Sequence, residues 1–433
     1  MSTKKILFAC VAVMLVAAVA LAACGGGETT TTGGAGTTTE VTAAPTTGGG
    51  AETTASSAGS ETTAAGPAAG APIKLGFDEG FTGFMAYDAS IAEKGILTAL
   101  AMLNNQAAGH PLEYVKEDNG SDPVVAVDKA RKMVESDKIS VMLGPVFSPS
   151  AAAVTDYLAK SSGIPQISIV IQPKDNLETA NKLAFMPNGL YGAQGYEFGK
   201  YCAAQLGYKT VNAIHYDDTA SRELQMGFER GFAEGGGTIS SVKFVPGDVV
   251  DFSSYLTSLP KADATFFWIY GNGSVPFVKQ YHDYGLTAQL LTPLAQNFSD
   301  EQLAELGDIS TGIIGFDYYA WTLDNPANKE FVAAYQKLYP DDHPNSEVFG
   351  GWQAVMMFTK ALEATGGDAT PSKIIAAMGS LSIDTPAGKV TIGPYQDAYI
   401  GTRDYFVVKS VKLEDGTYTW TPVYTLQQVQ LGE

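Results

Sequence analysis

Two hydroxyl side chains stand where an apolar run gives way to a helix. In GPVFSPSAAA, residues 144–153, Ser148 and Ser150 follow the run SVMLG. The first backbone N–H groups of a helix are unpaired and carry the positive end of its dipole, so such a place can hold an anion or the polar end of a ligand. The plainer role of Ser148 is to cap that helix, which contributes about 1 kcal/mol; both roles are compatible if another group caps. Trp268 and Tyr270, in ATFFWIY, are two apart and share one face of a strand. Trp268 reads as core, and Tyr270, at the strand's end, as a pocket wall. Asp217 and Asp218 end another apolar run, where they either point into a cleft or cap the next helix.

Other chemistries lack their residues. GNGSVP, at 271–276, opens like a dinucleotide fingerprint, but Pro276 stands where its third glycine belongs. His110, His215, His282 and His343 show no paired zinc spacing. Asp341, Asp342 and His343 lie between Pro340 and Pro344 and read as an exposed turn. There is no Gly-x-Ser-x-Gly elbow and no cysteine-nucleophile pattern. No metal, cofactor or catalytic residue is expected, and the chain is not read as an enzyme.

The elements that must hold these side chains alternate. Strands are predicted at 73–77, 112–119, 140–144, 164–168, 210–216, 241–246, 264–270, 289–293 and 311–316. Helices are expected between them, near 88–106, from Asp122 onward, from Ser148 onward, and at 194–206, 221–234, 252–259, 274–284 and 300–306. Asp122 followed by Pro123 is an N-cap and a first-turn proline. A late helix spans 351–367, with Met356 and Met357 as core, and the tail alternates as a hairpin turning at Asp415-Gly416. Strand–helix alternation implies parallel sheets with right-handed crossovers. Two series imply an α/β protein of two doubly wound parallel-sheet lobes. Ligands of such sheets bind outside the strands' carboxyl ends, where Ser148 and Tyr270 fall.

The start of the chain is not fold. Lys4 and Lys5 precede an apolar stretch, 6–20, and then Leu21-Ala22-Ala23-Cys24. Residues 1–23 read as an export signal, and the cysteine ending resembles a bacterial lipobox, which implies lipidation of Cys24 and a stable membrane anchor if two or more acyl chains are attached. Residues 24–72 are nearly all Gly, Thr, Ala, Ser and Pro and read as a flexible tether with a reach of about 40 Å. A formal net charge of −19 argues against nucleic acid as a partner. Only Cys202 remains in the body, so packing alone must hold it. The body is expected to be a monomer.

Phe81-Thr82-Gly83, EDNGSDP (117–123), VDKARKMV (127–134), the Gly-Pro at 144–145, GIP (163–165) and YGL (284–286), in that order, resemble the branched-chain-amino-acid-type substrate-binding proteins of ABC importers. The likeness runs from residue 73 to about 425. It implies the periplasmic-binding-protein type I fold, disordered before residue 73, with two lobes joined by three crossovers near 187–190, 317–320 and 399–402. Lobe 1 would then be 73–187 plus 320–399, and lobe 2 would be 188–319 plus 400–433. The resemblance further implies a small-molecule ligand trapped between the lobes and delivered to ABC permease subunits, outside the cell membrane. Matched by position, the pocket would comprise Tyr87 in the Tyr87-Asp88 loop, Phe147 and Ser148, Val170 and Gln172, Tyr270, Leu294, and Phe349. The family's amino-group-binding acid falls near Leu294, with Gln296 and Asn297 as the nearest polar residues, and a common tyrosine falls on Ala220. An ammonium buried without a carboxylate is costly, so the expected ligand is an apolar or aromatic compound with one anionic or amide end. An amino-acid-like ligand, a receptor signalling to a membrane sensor, and a surface-anchored hydrolase are the alternatives.

Overall fold

The computed structural model describes residues 70–432 apart from Glu178 and Asp248. The expected signal, Cys24 and nearly all of the tether lie outside the described residues. In chain order, the first part holds β1 (Ile73–Glu79), α1 (Ala86–Met102), β2 (Gln106–Ala107), β3 (His110–Asp118), α2 (Pro123–Lys132), β4 (Val141–Leu143), α3 (Ser148–Ser161), β5 (Gln166–Ile167) and β6 (Ala184–Met186). The second holds α4 (Tyr191–Ala204), β7 (Thr210–Tyr216), α5 (Thr219–Glu234), β8 (Thr238–Val245), α6 (Ser253–Leu256), β9 (Ala264–Trp268), α7 (Ser274–Asp283), β10 (Gln289–Thr292), α8 (Asp300–Leu306) and β11 (Ile314–Asp317). Then come α9 (Pro326–Leu338), α10 (Ser346–Ala364), α11 (Pro371–Met378), β12 (Ser382–Thr385), β13 (Gly388–Tyr395), β14 (Ala398–Lys412) and β15 (Tyr418–Gln430).

Two parallel series have the same order. Lobe 1 runs β3-β1-β4-β5-β6 and lobe 2 runs β8-β7-β9-β10-β11. Strand β14 lies between them. It pairs in parallel with β6 at Tyr399 and Ile400, and antiparallel with β11 over Phe406–Lys409. The hairpin predicted at Asp415-Gly416 is β14–β15. Each of the nine strands read from apolar runs is present, whereas β6, β12, β13, α9 and α11 are not marked by such runs. Asp122 accepts from the N–H groups of Val124 (2.7 Å) and Val125 (3.2 Å), so it caps α2 as its sequence implies. Cys202 is buried and unpaired. No described helix is long and apolar enough to cross a membrane.

The three lobe-to-lobe connections meet at one fully buried side chain, Arg403 of β14. Its guanidinium donates to the carbonyl of Tyr318 (2.8 Å), to Oε1 of Gln353 (2.9 Å) and to Oδ1 of Asn188. Asn188 lies just after β6 and Tyr318 just after β11, so one cation on the third crossing bonds to the other two. The rings of Tyr318 and Phe349 stand 5.1 Å from it, near enough for cation–π attraction.

Lobe 2 is held by helices packed backbone to backbone. A Cβ on Gly195 of α4 would lie 2.1 Å from the carbonyl of Leu224, and one on Gly227 of α5 would lie 1.9 Å from that of Gly192. Gly199 and Gly231 are equally tight, at 2.2 Å and 2.0 Å. Only glycine permits this approach. Gly227→Ala should push α4 and α5 apart and lower stability by about 1–3 kcal/mol, read by urea denaturation; an unchanged midpoint would show that the seam tolerates separation.

Candidate functional site: an aromatic cavity between the lobes

The cavity is built by loops at the carboxyl ends of strands. In lobe 1, β4 is followed by Gly144, whose φ of +68° turns the chain toward α3. The next N–H groups are claimed from within. Glu79, the last residue of β1, is fully buried and accepts from the N–H of Val146 through Oε2 and from that of Gly80 (3.0 Å) through Oε1. The N-cap of α3 is Phe147, without a side-chain bond, and Ser148 is the first helical residue. Ser148 is therefore not the cap expected from the sequence, and Glu79 satisfies the N–H of Val146, two residues before the helix. Ser150 is fully buried, with no partner for its Oγ.

Lobe 2 supplies the facing wall. Tyr270 follows β9, and its hydroxyl donates to Oδ2 of Asp218 (2.8 Å). Asp218 also caps α5, accepting from the N–H of Ser221 (2.7 Å), so the pointing and capping roles of this residue coincide. Trp268 donates from Nε1 to Oδ1 of Asn297 (3.3 Å), and its ring centroid lies 4.9 Å from that of Tyr191. Phe84 of lobe 1 closes the ring of aromatics, 6.2 Å from Phe147 and 6.1 Å from Tyr270.

These groups enclose a cavity of about 410 Å³. Of the residues matched by position, Phe147, Ser148, Val170, Tyr270 and Leu294 line it. Three do not. Tyr87 is one step round α1 from Asp88 and faces a second cavity of about 480 Å³, while Asp88 takes the wall. Gln172 is fully buried, and its Oε1 accepts from Asn176 Nδ2 (2.7 Å), so Asn176 is the residue that reaches the cavity. Phe349 is fully buried against Tyr319, with rings stacked at 4.8 Å. Trp268, read as core, is only 5% exposed, yet lines the cavity. Phe84, Asp175 and Tyr191 were not singled out in the sequence; the aromatic spacing in FTGFMAYD was the available signal for Phe84.

Asp341–His343 is no simple exposed turn. Asp342 accepts from Lys94 (2.7 Å) and the Tyr335 hydroxyl (2.6 Å). His343 stacks on Trp321 at 3.8 Å and shares a hydrogen bond of 2.9 Å with Asp300 of α8. All three line the second cavity. Among the described residues, no cluster of three or more His, Cys, Asp or Glu could hold a metal ion.

Acidic groups gather around the aromatic cavity. Asp88, half-buried in the first turn of α1, has its carboxyl pushed from 3.8 up to about 6 by burial. Burial likewise pushes Glu79 up to about 7. Glu347 is also buried, with Oε1 unpartnered, and is raised by burial and then by the charges of Asp88, Glu79 and Asp317. A carboxyl whose pKa rises on folding stabilises the fold below its unfolded pKa, and this is lost as pH climbs through the folded value. For Asp88 that window runs from 3.8 to about 6. The unliganded protein should therefore lose stability across it. Asp88→Asn should flatten this slope and be more stable than the parent by about 1–3 kcal/mol at pH 7.5, with the gap closing at pH 4. Urea denaturation at both pH values checks this, and parallel slopes would count against it.

Comparison with known proteins fits this geometry. The family profile for periplasmic binding proteins matches residues 72–417. The chain is 24% identical over 373 residues to a Leu/Ile/Val-binding protein homologue of Brucella melitensis, covering 84% of this chain and 94% of that one. An ABC transporter substrate-binding protein from Sphaerobacter thermophilus superposes with a TM-score of 0.76 at 23% identity, over 83% of this chain and 99% of that one. A solute-binding protein of an ABC transporter from Rhodopseudomonas palustris, solved with 3,4-dihydroxybenzoic acid, also scores 0.76, at 24% identity over 83% of this chain and 98% of that one. Two equally ordered lobes, crossed three times, thus have their counterpart in an established group: the chain belongs to the periplasmic binding protein family.

Proposed function

We propose that this chain is the extracytoplasmic, lipid-anchored solute-binding component of an ABC importer, and that it captures a small organic ligand with an aromatic or branched apolar body by closing its lobes. The observation that carries this reading is the cavity wall itself. Phe84 and Phe147 come from one lobe and Tyr191, Trp268 and Tyr270 from the other, so a ligand between them touches both lobes only when they are closed. Differential contact of this kind is what shifts an open–closed equilibrium. Moving it from 1:99 to 99:1 takes about 5.5 kcal/mol. Burying about 200 Å² of an aromatic body contributes about 5 kcal/mol at about 25 cal/mol per Å², so one such ligand is of the right size. The permease then reads closure as the loaded signal. The ligands named for the relatives include branched-chain amino acids and an aromatic acid; an apolar body with a polar end is common to both.

Thermal shift against amino acids, aromatic acids, amides and amines, followed by solution scattering with the stabilising compound, tests the reading. The expected result is a more compact particle with ligand; a particle of constant dimensions with every stabilising compound would defeat it. Tyr270→Ala should weaken binding at least tenfold while leaving the unfolding curve of the free protein cooperative, and unchanged affinity would remove Tyr270 from the contact surface. For the anchor, Cys24→Ala should move the exported chain from the membrane fraction to the soluble fraction. Continued sedimentation with membranes would refute lipidation at that residue.

A further inference from the structure

We infer that the polar end of the captured molecule is a cationic amine held by Asp88, without a carboxylate of its own. The inference rests on the capture reading above and specifies its ligand. Two features of the cavity carry it.

The first is the turn into α3, where the sequence offers a place for an anion or the polar end of a ligand. Glu79 already takes one donor of that turn, the N–H of Val146, and also accepts from the N–H of Gly80 beside it. A ligand anion at this turn would therefore find one donor fewer and would lie beside an internal carboxyl group.

The second is the sign of the wall. Asp88, Asp175 and Asp218 line the cavity, and no lysine, arginine or histidine is among its described lining residues. Nearby cations are committed elsewhere: Arg222 is paired with Asp217 (2.5 Å), and Arg403 is buried at the crossovers. The carboxylates are not equivalent. Asp218 already accepts from Tyr270 and from Ser221, and Asp175 is exposed. Asp88 is half-buried, and no ion pair involving it is found among the described residues. It lines the same cavity as Phe84, Phe147 and Tyr270, whose ring faces attract a cation. An alkylammonium ligand supplies the missing charge, while a carboxylate ligand would add a further negative charge to a wall without a basic side chain. The acid missing at Leu294 is in this way replaced from another element.

Isothermal calorimetry on the purified full chain decides it, with a phenyl or an isobutyl body carrying each of four ends. The phenyl set is 2-phenylethylamine, phenylalanine, 3-phenylpropionate and 3-phenylpropanamide; the isobutyl set is isopentylamine, leucine, 4-methylpentanoate and 4-methylpentanamide. The expected result is that, for at least one body, the amine binds tenfold or more tighter than its acid, amide and amino-acid counterparts. Asp88→Asn should then weaken the amine at least tenfold and change the amide less than twofold. Tighter binding of the acid, the amide or the amino acid overturns the amine assignment and leaves the capture reading standing. Equal loss of amine and amide in Asp88→Asn overturns the role of Asp88. Binding of none of the eight compounds overturns the amine assignment and leaves the capture reading to the scattering experiment above.

Discussion

A single buried cation organises the connection between the two halves. Arg403 has no room to be solvated, so its charge must be met by the groups around it, and those groups are Asn188, Tyr318 and Gln353. Removing one partner of a buried charged group is far costlier than losing a surface bond. The network therefore fixes where the crossings sit relative to one another. Asn188 also donates to the carbonyl of Ile169 (2.8 Å), and Tyr405 donates to the carbonyl of Asn188 (3.1 Å). The chain leaves lobe 1, enters lobe 2 and returns through one shared point, while the cavity lies beyond it, at the strands' carboxyl ends.

Beyond that point, the cavity combines two kinds of attraction. Aromatic rings offer area without demanding orientation, and the polar atoms of Tyr270 and Trp268 are already bonded within lobe 2, to Asp218 and Asn297. Their faces are thereby held in position before any ligand arrives, which reduces the ordering cost of binding. The acids act over a longer range. A chain of net charge −19 whose cleft is itself acidic repels anions before contact and draws cations toward the opening.

Much of the architecture was legible because apolar runs mark buried strands. The runs containing Leu75, Ala213 and Phe266 stand out, and each is now a central strand of its lobe. Strand β6 has only Ala184, Phe185 and Met186, too short a run to separate from a loop. Strands β12 and β13 carry alternate exposed residues, as at Ser382 and Asp384, and the pairing of β12 with β13 and of β13 with β14 comes from tertiary context. In the cavity, Phe147, Ser148, Val170, Tyr270 and Leu294 could be located from strand ends and family order. Position along a helix could not be resolved so finely. One residue on α1 separates Tyr87 from Asp88 and sends them to different cavities. The Glu79 bond to the turn before α3 joins residues far apart in the chain, and nothing local announces it.

The glycine seam between α4 and α5 has a mechanical consequence. Helices whose backbones touch leave little soft side-chain material between them to compress. Lobe 2 should then move as one stiff plate, and the work done by a ligand goes into swinging that plate, with little dissipated in bending it.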